Sequence, residues 1–179
     1  MNRNNHVLWL TRTALMIALL VVLQAATAPM GNLFITGSIV NFLLITSVML
    51  CGLPSGLTVS VLSPIVAKLF GIGPSWALIP FIIAGNAVLA LIWYSFSRSR
   101  LKPVTGQAAA LIAAACMKTL VLYLGIVKLA VPCILKLPEP QATVIAGMFS
   151  LPQLITALAG GLAAMAALPA LKKALKTSV

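Results

Sequence analysis

Apolar residues in this chain come in long unbroken runs, without the alternation of a half-wet strand or the three-to-four spacing of a half-wet helix. The runs cover about residues 8–28, 35–53, 57–72, 76–96, 107–131 and 142–168. Crossing the hydrocarbon of a bilayer takes about 20 apolar residues in a helix, so each run predicts one span. Pro54-Ser55-Gly56 predicts a tight turn, Gly73-Pro74 a helix break, Ser97 to Pro103 a polar linker and Pro132 to Pro140 a proline-rich loop. The expected architecture is an all-α integral membrane protein: one domain, a six-transmembrane-helix bundle with no room for a soluble domain. The first run ends in Ala26-Thr27-Ala28, which mimics a signal-peptidase site. Because further spans follow closely, it is read as the first helix.

Basic residues orient the bundle. With the amino terminus inside, Arg3, Arg12, Arg98, Arg100, Lys102, Lys172, Lys173 and Lys176 fall on the cytoplasmic side, and Lys136 alone falls in an outer loop. The positive-inside rule then places both termini in the cytoplasm, which an even number of spans requires. Trp9, Trp76 and Trp93 lie near predicted span ends and read as interfacial belt residues.

Composition agrees with this pattern and narrows the chemistry. The chain is 61% hydrophobic and 7% charged, with 1 acidic residue and a mean hydropathy of +1.14, which leaves lipid as its main solvent. The net charge of +11 is spread over short inter-span stretches without interleaved aromatics, which argues against nucleic acid. Cys51, Cys116 and Cys133 lack metal-ligand spacing and are expected to pack in the core. His6 and Glu139 are assigned to opposite membrane faces, so no catalytic triad or carboxylate pair is expected. Asp, HExxH and the Walker A pattern are all missing. The chain reads as a non-enzyme without cofactor or metal, and any ATP hydrolysis belongs to another subunit.

The remaining basic residues, Lys68, Lys118 and Lys128, fall inside the apolar runs. Lys118 lies about 16 Å into its span at 1.5 Å per residue, and Lys68 is placed past the middle of its own; Lys128 is near enough to the outer surface to snorkel. A buried ammonium costs several kcal/mol unless paired or hydrated. The polar residues placed near or above the midplane are Gln24, Asn41, Lys68, Asn86, Lys118, Tyr123 and Gln153, one or more from each span. Together they predict an outward-opening pocket for a small polar ligand bearing a carboxylate or phosphate, with the ligand as the missing counter-ion. Pro64 and Pro152 are expected to free the carbonyls of Ser60 and Met148 as further acceptors. Each isolated amide also fits interhelical hydrogen bonding. Ala14 and Ala18 form an AxxxA face that admits close approach of another helix.

Taken together, the chain resembles the substrate-binding S component of energy-coupling factor (ECF) vitamin transporters. The resemblance rests on its length and span count, the opening Thr11-Arg12-Thr13-Ala14-Leu15-Met16-Ile17-Ala18-Leu19, and the closing Leu151-Pro152-Gln153-Leu154-Ile155-Thr156-Ala157-Leu158-Ala159-Gly160-Gly161. It implies that Ala14 and Ala18 meet a transmembrane T component, that two ATPase subunits drive the cycle, and that the chain captures a vitamin or related micronutrient outside a bacterial cell membrane. The intramembrane lysines favour an anionic ligand such as pantothenate. An autonomous organic-anion carrier or channel and a noncatalytic assembly subunit are the alternatives.

Overall fold

A computed structural model describes residues 3–99 and 103–177. It is built from helices: α1 (Arg3–Thr27), α2 (Leu33–Cys51), α3 (Leu53–Leu69), α4 (Ile79–Ser97), α5 (Pro103–Leu122), α6 (Glu139–Met148) and α7 (Leu151–Thr177), with no strand among the described residues. Five helical stretches are long and apolar enough to cross a membrane, and Leu53–Leu69 is apolar but shorter. Its 17 residues reach about 26 Å at 1.5 Å per residue, the lower limit for a span. Arg100 and Lys102, two of the charges used to orient the bundle, lie outside the described residues, and so do the side chains of Arg3 and Lys176.

Element ends differ from the sequence expectation where proline and glycine act differently from simple breakers. Helix α3 starts at Leu53, ahead of the Pro54-Ser55-Gly56 segment expected to turn, and the reversal falls on Gly52 at φ 88°. Pro54 sits in the first helical turn, where its missing N–H had no partner to lose. The helix ends correspondingly early, so Lys68, expected past the middle of its span, occupies the last turn. Gly71 and Gly73, both at positive φ, carry the connection to α4.

Past α5 the winding widens into a π-helix, Tyr123–Leu135, which carries Pro132 within it. The wider turn closes with Lys136 N–H donating to the Val131 carbonyl at 3.0 Å, so the predicted loop from Pro132 begins only at Lys136. The last predicted span is interrupted: α6 ends at Met148 and α7 begins at Leu151, with Pro152 in its first turn.

The core lies where α2, α4, α5 and α7 meet. Leu44, Ile45, Leu89, Trp93, Ala114, Ala157 and Ala164 are buried there. Trp93 is 1% exposed, a core residue and not a belt residue, because Gly161 opposite leaves room for the indole edge at 3.4 Å from where a Cβ would stand. Trp76 is exposed. Cys116 and Cys133 are exposed and Cys51 half-buried, so the core role expected for the cysteines is not met at the first two.

Helices α2 and α7 pack against each other over a long contact. A Cβ on Gly160 would strike the Ser38 carbonyl and lie 2.7 Å from Asn41 Cβ, and one on Gly37 would lie 2.8 Å from Thr156 Cγ2. Small residues on both helices thus bring the two backbones together, and Asn41 sits in that seam. Gly160→Val is expected to force α2 and α7 apart, destabilising the protein by about 1–3 kcal/mol, read as a lower melting temperature in mild detergent.

Candidate ligand-binding cavity

One cavity of about 560 Å³ lies at the end of the bundle that carries the α1–α2 and α3–α4 connections. Its walls come from the 28–33 and 72–75 segments, from Val40, Ile82 and Leu122 deeper in, and from Ile145, Met148 and Phe149 at the α6–α7 break. Asn41 and Asn86 stand eight and seven residues into α2 and α4, about 10–12 Å from those helix starts at 1.5 Å per residue. They mark the deep end.

Lys118 reaches this depth from α5. Its ammonium donates to Asn41 Oδ1 at 2.6 Å and to Asn86 Oδ1 at 2.7 Å, and the residue is 3% exposed. The geometry ties three helices, α2, α4 and α5, through one charged group. Both acceptors are neutral amides. The sole carboxylate of the chain, Glu139, is exposed at the start of α6 and absent from the cavity walls. A hydrogen bond to a charged group contributes about 1.5–3 kcal/mol, but two amide oxygens solvate the charge without cancelling it.

The two asparagines are held differently. Asn41 Nδ2 donates to the Gly37 carbonyl at 2.9 Å and to Thr156 Oγ1 at 3.4 Å, and Thr156 in turn donates to the Gln153 carbonyl at 3.1 Å. Every polar atom of Asn41 is therefore occupied. Asn86 is 2% exposed and lines the cavity, yet its Nδ2 has no hydrogen-bond partner among the described residues.

Of the residues singled out from sequence, Gln24, Asn41, Asn86, Lys118 and Gln153 line the cavity. Gln24 Oε1 is buried without a partner. Gln153 donates its side-chain amide to the Met148 carbonyl at 3.1 Å, so the acceptor expected to be freed by Pro152 is already used. Ser60 and Pro64 are buried in α3 away from the cavity walls. Lys68 is outside as well: its ammonium donates to the Gly73 carbonyl at 3.5 Å, holding the loop that forms part of the rim. Tyr123 faces a shallow apolar groove between α5 and α7, with the Lys128 ammonium 5.7 Å from its ring centroid. Of the one or two ammonium groups expected in the pocket, that of Lys118 lines it among the described residues.

Thr156, Asn32, Thr36 and Ser75 also supply polar groups to the cavity or its support. Thr156 was open to detection, because it lies three residues after Gln153 and shares its helix face. Asn32 accepts from the backbone N–H groups of Phe34 and Ile35, a helix cap that places it at the rim. On the far side of the bundle Ala14 and Ala18 are exposed on α1, beside exposed Leu15 and Leu19.

No protein-family model matches the chain, and no curated protein or solved structure matches it significantly.

Replacing Asn41 by Leu keeps the branched outline of the side chain but leaves the ammonium with one acceptor. The expected loss is about 1.5–3 kcal/mol of stability, measured by thermal or denaturant unfolding in detergent, with a larger effect than Gln24→Leu at the rim.

Proposed function

We propose that this chain is the substrate-binding subunit of an ATP-driven importer of the ECF type, taking up a small anionic micronutrient across a bacterial plasma membrane. The observation that carries the reading is the Lys118 ammonium, buried at the deep end of a cavity and bonded only to neutral amides. The ammonium is already out of water before a ligand arrives, so an anion gains its attraction to it against the cost of the anion's own desolvation alone.

Topology supports the same reading. Arg12 lies in the first half of α1, Arg98 at the end of α4, and Lys172 and Lys173 late in α7. With short connections and antiparallel neighbours, these positions share the end of the bundle opposite the cavity. A cytoplasmic location for that end obeys the positive-inside rule and opens the cavity to the outside.

Transport energy must come from elsewhere, since the sequence has no nucleotide-binding motif. The exposed face of α1 with Ala14 and Ala18 suits a transmembrane T component, and two ATPase subunits complete the assembly. An autonomous carrier is the reading to separate from this one: it takes up ligand in liposomes without ATP or partners.

Native mass spectrometry of the gently purified protein is expected to find a retained small molecule. In Lys118→Ala that molecule should bind at least tenfold more weakly while the protein still reaches the membrane in normal amount. Unchanged affinity moves the site elsewhere. The paired change Ala14→Leu and Ala18→Leu is expected to abolish co-purification with an ATPase pair and leave ligand binding intact.

A further inference from the structure

Resting on the binding role just proposed, the structure narrows the ligand. We infer that the cavity takes a monocarboxylate with an apolar body, its carboxylate clamped between Lys118 and Asn86, and that Asn41 is a positioning residue that never touches it.

Charge sets the first limit. Lys118 brings the only ammonium among the cavity's walls. Lys68 is turned to the Gly73 carbonyl and Lys128 lies over Tyr123, so neither ammonium stands at the cavity floor beside Lys118. A dianionic phosphate ester would leave one charge unmatched in a medium where unmatched charge costs several kcal/mol. A neutral ligand would leave the ammonium as it is, with no opposite charge beside it.

Free donors set the second. The Lys118 ammonium has three N–H groups; two point to Asn41 Oδ1 and Asn86 Oδ1, and one is left. Asn86 Nδ2 is the neighbouring unengaged donor, on a side chain already fixed by the Asn86 Oδ1 bond to Lys118. A carboxylate has two oxygens on one planar group and can accept one bond from each of these donors. Asn41 has nothing to offer, because its amide is spent on Gly37 and Thr156.

Lining sets the third. Val40, Ile82, Leu122, Met148 and Phe149 give the walls a largely apolar face, with Gln24, Thr36 and Ser75 as polar groups beside them, so an extended hydroxyl-rich body would meet more apolar surface than polar partners. The volume of about 560 Å³ bounds the ligand's size from above.

The test uses full-length protein purified in mild detergent. The probes are hexanoate, octanoate, benzoate and phenylacetate, each matched with its carboxamide, together with phenyl phosphate. Thermal stabilisation and competition with the retained molecule are read. Wild type is expected to bind at least one monocarboxylate tenfold or more tightly than its carboxamide and to ignore phenyl phosphate. Asn86→Asp, which places a carboxylate against the ammonium, is expected to lose the carboxylate response at least tenfold, with the apo protein melting at or above the wild-type temperature. Asn41→Leu is expected to lower the melting temperature while keeping the preference for acid over amide.

A retained molecule that is neutral or dianionic, or equal binding of acid and amide, overturns this inference and leaves the binding-subunit reading intact. So does a probe set in which no monocarboxylate binds although the protein retains a ligand. Absence of any retained molecule, with no response to any probe, overturns both. Because wild-type selectivity alone can refute the class, the proposal stays testable even if a variant fails to fold.

Discussion

A charged group inside hydrocarbon has to be answered by partners from the protein itself, and this chain has almost nothing ionic to answer with. Its solution is to bring two amide oxygens to the Lys118 ammonium from two other helices, at 2.6 Å and 2.7 Å. That requirement dictates much of the rest. Asn41 can present its oxygen only because α2 lies against α7 closely enough for Thr156 and the Gly37 carbonyl to hold its nitrogen. The closeness in turn depends on Gly37 and Gly160, where no side chain would fit. A polar contact at the cavity floor is thus set by glycines on the seam behind it.

The cavity exists because the helices around that contact do not continue as straight rods. α6 and α7 are separated at Phe149–Ser150, α5 widens into a π-helix from Tyr123, and the α3–α4 connection turns through two glycines at positive φ. The α6–α7 break and the α3–α4 connection contribute walls of the cavity, through Ile145, Met148 and Phe149 and through the 72–75 segment. Membrane helices tolerate such irregularity where it is buried in protein or borders a cavity. Here the α6–α7 break is partly sealed by Gln153, which donates to the Met148 carbonyl, and Lys68 braces the loop carrying Gly73.

On the proposed reading, structure and energetics divide the labour between chains. This subunit supplies a site whose charge balance is incomplete until a ligand arrives, and the partners supply the free energy to turn it inward. α1 suits the docking role because it is the least buried of the membrane-length helices, with Leu15 at 64% and Val22 at 61% exposure beside the two alanines. Distance between the docking face and the cavity lets each be altered without touching the other.

Sequence alone established that the chain is helical and apolar enough for a bilayer, about where most spans lie, and which amides and lysine stand within apolar runs. Run length and charge are local properties, and the energy of exposing them to the wrong solvent does not depend on what packs beside them. It also singled out Lys118, Asn41, Asn86, Gln24 and Gln153, which do meet in one cavity. Helix packing keeps Lys68 and Tyr123 outside it, buries Trp93 in the core, and spends the Asn41 amide while leaving Asn86 Nδ2 unengaged. Those outcomes depend on helix rotation, on three residues of difference at the end of α3 and on partners more than 30 positions away in the chain for both Lys118 bonds, and pairing over such distances leaves no trace in the hydropathy of either segment.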